Sequence, residues 1–188
     1  MCPESKPDRR AERTRLAILG AFRDLILTRG YVPISIRDVV AEANVGRSTF
    51  YEHFDDKEDL LRASLHPILS VLAEAVGATR EPQRLAMVIA HFGHNRRLAR
   101  SMMASSPGLL MTRFLAEVIE DRLAIAARGS RTTRPLLPLA LIAGHLAEAQ
   151  LGLIVAWLTG KTTCSAEVVA HALYVSTRAS VAALTNDR

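Results

Sequence analysis

Apolar residues recur along this 188-residue chain at spacings of three and four, the period of a helix that packs by one face. A first helix is predicted from about residue 8 to residue 29, with Leu16, Leu19, Phe22 and Ile26 facing inward and Gly30 ending it. Prolines at helix starts help to place further helices at about 82–93, 95–104, 107–128, 135–159 and 165–185. Abundant Ala and Leu with few aromatic residues favours packed helices over sheets, so the predicted fold class is all-α.

The run from residue 35 to residue 57 has the most specific pattern in the chain. Ile36, Val39, Val40 and Ala43 form an apolar stripe at i, i+3, i+4 and i+7, which predicts a short helix. Ser35 and a carboxylate three residues later, at position 38, have the spacing of a capping box at its start. The sequence Asn-Val-Gly at 44–46 then allows a sharp turn.

A second short helix follows this turn. Phe50 and Phe54 share one face of it, while Arg47 and Tyr51 share another face at the same i, i+4 spacing. Thr49 and His53 are spaced in the same way. Two short helices joined by a tight turn, the second with polar and basic side chains outward, are typical of a helix-turn-helix that binds in the DNA major groove. Arg47 is the best candidate for a bidentate contact to guanine, and the hydroxyls of Ser48 and Thr49 suit phosphates or base edges.

The segment from Gly30 to Leu61 resembles the N-terminal domain of the TetR family of bacterial transcriptional regulators. The resemblance rests above all on VGRSTFYEHF at 45–54 and KEDLL at 57–61. It departs from the family at Gly46, where members often have Ser as the helix cap. Gly caps a helix about as well as Thr, so the departure changes little.

This resemblance implies two domains: a three-helix helix-turn-helix DNA-binding domain at 1–56 and a helical effector-binding and dimerisation domain at 57–188. It also implies that Tyr51, His53 and Lys57 hold phosphates. The whole set of DNA-contacting residues expected from the pattern and the resemblance is Arg37, Arg47, Ser48, Thr49, Tyr51, His53 and Lys57.

A fourth helix is predicted from residue 56 or 57 towards residue 79, and it contains Pro67 about three turns from its start. A proline inside a helix removes one hydrogen bond and usually kinks the helix. Pro67 would therefore act as a hinge between the two domains. The alternative is that one helix ends and another begins there without a mechanical role.

The net charge of +5 does not locate a DNA surface, because residues 1–62 contain 11 basic and 11 acidic side chains. Two distant cysteines fit a reducing cytoplasm, and the first residues lack the apolar core of a signal peptide. The apolar stretch from Leu136 to Leu158 contains Glu148, which disfavours a membrane span. A helix that is apolar on nearly all sides must be covered, either by its own domain or by a partner subunit. The second alternative predicts a homodimer through the last two helices.

The second domain offers an apolar set that would line an adaptable ligand pocket, with one histidine as a polar group. The set is Phe92, Met102, Met103, Met111, Phe114 and His145. Such residues at helical spacing are also what an ordinary core contains. A metal site is disfavoured, because His91 and His94 share a face but lack a third ligand. Phosphate loops, nucleophile elbows and HExxH motifs are missing, so neither an enzyme nor a cofactor is expected.

The function that these patterns and the resemblance favour is a cytoplasmic DNA-binding repressor, released from double-stranded operator DNA by an unknown small molecule. Two alternatives stay open. One is a dimer that binds DNA constitutively without an effector. The other is an interaction module whose neutral first domain binds no DNA.

Overall fold

The computed structural model describes residues 9–78, 80–129, 135–160 and 164–185. These residues form helices and connecting turns, without any strand among them, which confirms the all-α prediction. The helices are α1 Arg9–Arg29, α2 Ile36–Glu42, α3 Arg47–Tyr51, α4 Lys57–Gly77, α5 Gln83–His94, α6 Arg96–Met103, α7 Ser106–Gly129, α8 Leu139–Thr159 and α9 Ala166–Thr185.

The chain divides into two compact units, 1–64 and 65–188. The boundary lies inside α4, eight residues after the 56/57 division expected from the sequence. The first turns of α4 belong to the first unit because Leu60 and Leu61 are completely buried and Lys57 bonds to the loop before α2. Local sequence shows where a helix begins, whereas the unit boundary follows packing.

In the first unit, α1 packs through a stripe at i, i+3, i+4 and i+7. Ile18, Phe22 and Leu25 on this stripe are buried. Leu16, predicted to face inward, is 58% exposed, because the buried stripe begins two residues later. Gly30 ends the helix as predicted, with a left-handed φ of 73° that favours glycine.

The capping box at the start of α2 is present as predicted. The Asp38 amide donates to Ser35 Oγ at 3.2 Å, and the Ser35 amide donates to Asp38 Oδ2 at 2.8 Å. After α2, Asn44 adopts a left-handed φ of 51° and turns the chain. Gly46 follows as the N-cap of α3. The turn residues expected from the sequence therefore carry out the turn.

The second unit is built from packed helix pairs, the most extensive being α7 with α8 and α5 with α9. Its core contains completely buried side chains from α5, α7, α8 and α9, including Ile89, Leu115, Ile154 and Leu173. Helix α4 runs through Pro67 as one helix.

Helix α8 begins at Leu139 rather than at residue 135, because the second proline of the PLLP segment, Pro138, takes the N-cap position. The amide of Leu136 instead donates to the carbonyl of Leu184 at 2.9 Å, which ties this segment to the end of α9. The polar and charged sequence at 129–134 predicts a loop. Apart from Gly129, which ends α7, this segment lies outside the described residues.

Helices α4 and α8 have the length and apolar composition of membrane-crossing helices. This test uses length and composition only, and core helices of soluble proteins pass it as well. Leu146 and Ile154 of α8 are buried inside the second unit. The two helices are therefore weak evidence for a membrane protein.

Candidate nucleic-acid interface

The orientation of α3 is fixed by two aromatic side chains. Phe50 is completely buried and Phe54 is 2% exposed, with their ring centroids 5.8 Å apart in the core of the first unit. The guanidinium of Arg15 on α1 lies 4.7 Å from the centroid of the Phe54 ring, which adds a cation–π contact on top of this core. A five-residue helix has little stability of its own, so these contacts hold it in place.

The outward face of α3 presents Arg47 and Tyr51 as a pair. Arg47 Nη2 donates to the hydroxyl oxygen of Tyr51 at 3.3 Å, and the guanidinium carbon lies 5.7 Å from the ring centroid. The hydrogen bond from Arg47 to Tyr51 raises the pKa of the Arg47 guanidinium. The contact holds the positively charged guanidinium of Arg47 against the exposed surface of the helix. Its other N–H groups remain available to donate hydrogen bonds to a ligand.

The start of α3 carries two hydroxyls close together. A Cβ added at Gly46 would lie 3.6 Å from Ser48 Oγ and 3.7 Å from Thr49 Oγ1, so both hydroxyls are near the open N-terminus of the helix. Ser48 is exposed and Thr49 is half-buried. Backbone amides at a helix start favour anions, and these hydroxyls add donors there.

The other expected contacts lie nearby in the chain but differ in exposure. Arg37, on α2, is exposed. His53 is half-buried, with its ring centroid 6.5 Å from that of Phe54. Residues 47 to 53 therefore combine exposed and partly buried polar groups on one short helix and the turn that follows it.

Lys57 is placed differently from the phosphate contact that the resemblance implies. Its Nζ donates to the carbonyls of Tyr31, Val32 and Ile34 at 3.2, 3.3 and 2.8 Å, and lies 4.2 Å from the centroid of the Tyr31 ring. Desolvation lowers the pKa of its ammonium group. Since an ammonium has three donors, a phosphate would have to compete with these carbonyls.

Tyr31 is a participant that the sequence pattern does not single out. Its ring packs edge-on against Phe22 with centroids 6.3 Å apart and accepts the Lys57 ammonium on its face. Burial, followed by the negative charges of Glu58 and Asp56, raises the pKa of the Tyr31 phenol. An aromatic residue directly after the helix-ending glycine is the sequence signal that could have identified it.

The candidate ligand residues of the second unit do not gather around one of its grooves. Phe92, Met111 and Phe114 are buried in the core, whereas His145 lies on the exposed side of α8. Three surface grooves, of about 620, 540 and 480 Å³, occur in this unit. Of the six candidates only Met103 lines any of these three, so the predicted pocket stays a prediction.

Two of these grooves flank α6. The first, which we call the arginine groove, is lined by Arg96, Arg97, Arg100, Ser101, Val155 and Thr159, together with Ala104. The second, which we call the apolar groove, is lined by Met103, Ala104, Gly108, Leu109, Leu151, Gly152 and Val155, together with the polar residues Ser105, Ser106, Thr112 and Glu148. Within the described part of the chain, no group of three or more His, Cys, Asp or Glu side chains is placed to hold a metal ion.

Comparison with known proteins gives a family match for the first unit. The family model described as bacterial regulatory proteins, tetR family, matches residues 18–64. This stretch contains α2, the turn and α3, so the match covers the helix-turn-helix described above.

Curated relatives point in the same direction. An uncharacterised HTH-type transcriptional regulator, YxbF of Bacillus subtilis (strain 168), is 31% identical over 85 residues, which are 45% of this chain and 22% of the relative. The HTH-type transcriptional repressor LfrR of Mycolicibacterium smegmatis is 28% identical over 113 residues, which are 58% of this chain and 54% of the relative. The match thus spans about a fifth to a half of these relatives' length.

A solved structure extends the likeness to the second unit. A TetR transcriptional regulator from Streptococcus agalactiae 2603V is 25% identical, with a TM-score of 0.57 over 91% of this chain and 97% of that one. The helices of both units are thus similar to those of a known regulator.

Proposed function

We propose that this chain, which belongs to the TetR family of bacterial transcriptional regulators, is a cytoplasmic repressor that leaves its operator when a small molecule binds its second unit. Regulation of transcription is what the family and the relatives have in common. Repression, the effector and the site residues below are the parts that we propose.

One observation carries the proposal: the Arg47–Tyr51 pair on the exposed face of a helix that Phe50 and Phe54 anchor from the other side. A major-groove helix must present hydrogen-bonding groups without moving on its support, and α3 meets both needs. The Tyr51 hydroxyl restricts the guanidinium of Arg47, which reduces the conformational entropy that Arg47 loses when it binds guanine.

The remaining polar residues divide between positioning and contact. Ser48 and Thr49 would contact phosphate or base edges at the helix start, while Arg37, Tyr51 and His53 would hold phosphates. Lys57 would act differently, because its ammonium is bound to three carbonyls of the 31–34 loop. We assign it the role of holding this loop against α4.

We further propose that two copies assemble through α8 and α9. On α9 the exposed residues Val168, Ala172, Val175, Ala179 and Ala182 follow a 4-3-4-3 spacing, which is the pattern of a helix-pairing face. A two-fold dimer would present its recognition helices to half-sites about 34–36 Å apart, or to a longer spacing.

Effector control requires a ligand that prefers the conformation with low DNA affinity. The relatives include the repressor LfrR and the activator DhaS, so repression is part of our proposal and not a property that the relatives share. The helix that passes from one unit to the other is α4. We propose that binding in the second unit acts on the first through α4, with a coupling of about 1–3 kcal/mol.

The test measures fluorescence anisotropy of labelled duplexes that tile the DNA upstream of the gene, with a shuffled duplex of equal composition as control. Specific binding to one duplex, weakened by at least one member of a panel of organic acids, amines and neutral aromatics, is expected. Equal affinity for all duplexes would contradict the DNA-binding proposal. Specific binding that no compound changes would favour the constitutive dimer.

A further inference from the structure

The arginine groove is strongly basic, although it lies in the second unit and not in the proposed DNA-binding unit. Helix α6 has the sequence RRLARSMM, with three arginines and no acidic residue in eight positions. Arg97 and Arg100 are three residues apart and therefore lie on one face of α6, next to Thr159 of α8. Like charges on one helix face repel one another, and an anion bound between them would offset this repulsion.

Arg96 is already occupied by the protein itself. Its Nε donates to the carbonyl of Leu158 at 2.7 Å and its Nη2 donates to the carbonyl of Trp157 at 2.6 Å, which satisfies the end of α8. The side chains of Arg97 and Arg100 form no hydrogen bond or ion pair with the residues that the structure describes. Two guanidinium groups thus remain for a ligand, whereas the guanidinium of Arg96 is held by the end of α8.

The arginine groove continues into the apolar groove, since Ala104 and Val155 line both. Leu109, which is 75% exposed, and Leu151 provide apolar surface along this second part. The only charged residue that lines the apolar groove is Glu148. Thr159 and Glu148 are eleven residues apart on α8, so the joined grooves extend over roughly 16 Å.

We infer that the joined grooves bind an elongated amphiphile with a single anionic head, the head between Arg97 and Arg100 and the apolar body towards Leu109. Carboxylate and phosphate oxygens match the donor geometry of guanidinium groups. Glu148 sets the orientation, because it repels a second anionic group at the far end. A dianion with a charge at each end is therefore excluded.

Only one part of this inference rests on the proposed function, namely that the bound amphiphile is the effector that releases the protein from its operator. The binding itself follows from the grooves. The exposed face of α8 on which we propose dimerisation contains Leu141 and His145. The grooves lie towards α6 and α7 and border this face at Gly152, which falls between those two residues around the helix axis.

Binding is measured on the full chain through the fluorescence of Trp157, the single tryptophan, whose ring centroid lies 5.8 Å from the Arg96 guanidinium carbon. The probes are decanoate, decyl phosphate, decanol and sebacate, the ten-carbon diacid. Saturable binding of decanoate or decyl phosphate is expected, and the tighter of the two identifies the head. Binding of decanol or sebacate should be at least about tenfold weaker.

The double variant Arg97→Ala/Arg100→Ala should weaken binding of the anionic probes about tenfold or more. The control Arg80→Ala/Arg128→Ala removes the same charge from the second unit away from α6 and should bind like the native chain. Ala104→Phe, at the exposed junction of the grooves, should block binding of the apolar body of the probe.

Equal affinity of the two double variants for the anionic probes would overturn the inference. Binding of decanol as tight as that of decanoate would overturn it as well. Operator release by decanoate is assayed separately, and its failure alone would count against the proposed function and not against the site.

Discussion

At the scale of single residues, the Arg47–Tyr51 pair gives the sharpest prediction. Arg47→Ala should weaken operator binding about tenfold to a hundredfold and relax the base preference at one position, because a guanidinium contact to guanine is lost. Anisotropy titrations with the operator and with single-base variants measure both effects. Arg23→Ala on α1 removes the same charge from an exposed residue paired with Asp24 and serves as control.

Tyr51→Phe separates two roles of the same hydroxyl. If Tyr51 holds a phosphate, the variant should bind all sequences more weakly by the same factor. If the hydroxyl only orients Arg47, the loss should be confined to the base step that Arg47 contacts. Unchanged affinity and base preference in both Arg47→Ala and Tyr51→Phe would rule out the proposed docking of α3.

The capping box at α2 makes a prediction about pH. Hydrogen bonds from the Ser35 hydroxyl and amide, ahead of the charge of Arg29, lower the pKa of Asp38 below its ordinary value of 3.8. The folded state therefore binds the proton less readily than the unfolded state. The stabilisation is complete well above pH 3.8 and is lost as the pH falls through the lowered pKa.

Ser35→Ala should lower the free energy of unfolding by about 1 kcal/mol near neutral pH, because the cap of α2 is lost. Urea denaturation at several pH values from neutral to acid measures this, and the difference from the native chain should shrink towards the acid end. Ser101→Ala is the matched control, because it removes a hydroxyl from an exposed position inside α6 and away from any helix start. Equal losses of stability in the two variants would show that the cap is unimportant.

The structural roles of residues in the first unit could be predicted only where they depend on spacing between neighbouring positions in the sequence. The caps, the turn at 44–46 and the buried Phe50 and Phe54 follow from such spacing and are confirmed. The surroundings of Lys57 were not predictable, because its partners are backbone carbonyls 23 to 26 residues earlier in the chain. The spacing of side chains in the sequence does not show which distant backbone carbonyls a side chain will meet in the fold.

At the scale of helices, ends were predicted well where one signal stood alone. Pro82 is the N-cap of α5 and Pro107 is the second residue of α7, both close to prediction. The start of α8 was placed four residues early because two prolines, Pro135 and Pro138, are both possible starts, and the Leu136 amide bonds to the Leu184 carbonyl instead of entering a helix. That contact joins two distant segments and is invisible to local sequence.

Packing of α5 against α8 predicts a sensitive glycine. A Cβ at Gly93 would lie 2.7 Å from Trp157 Cη2, closer than real Cβ contacts. The indole has little room to move, because its Nε1 donates to the carbonyl of Cys164 at 2.9 Å. Gly93→Ala should lower the free energy of unfolding by about 1–3 kcal/mol despite its better helix propensity.

Tryptophan emission provides a direct check, since the chain has one tryptophan. The variant should show a shifted emission maximum as well as a lower urea midpoint. Gly144→Ala on α8 is the matched control, because an added Cβ there meets nothing within 4 Å and the higher helix propensity of Ala should stabilise the chain. If both glycine variants changed stability alike, the Trp157 contact would have no energetic role.

At the scale of the whole molecule, Pro67 lies in the one helix that continues from the first unit into the second, three residues after the boundary. A proline lacks the amide proton that would bond to the carbonyl four residues earlier, so α4 is weaker at this point. Pro67→Ala should restore the bond, stabilise the helix and alter the effector-induced change in operator affinity. The change is measured by titrating DNA with and without ligand. The same ratio of affinities in both proteins would show that Pro67 has no part in coupling.

The exposed apolar residues of α8 and α9 would be buried if two copies of the chain form a dimer through these helices. Val168 is 56% exposed, Val175 is 47% exposed and Leu141 is 61% exposed in the single chain, among small residues that allow close helix approach. Gly152 has open space around an added Cβ, so nothing inside the described chain requires a glycine there. Obligate dimers bury such faces, and their interfaces are mainly apolar.

Val175→Glu should therefore convert the dimer to monomers, because it would place two like charges in a desolvated interface around the two-fold axis. Met87→Glu on α5 is the matched control, since Met87 is 63% exposed and lies on a helix outside the proposed face. Sedimentation at micromolar concentration measures the mass, and circular dichroism verifies that both variants are folded. Operator affinity should fall steeply in Val175→Glu alone, because a monomer contacts one half-site and loses the gain from binding two sites at once. A native chain that sediments as a monomer, or a Val175→Glu variant that remains a dimer, would contradict this interface.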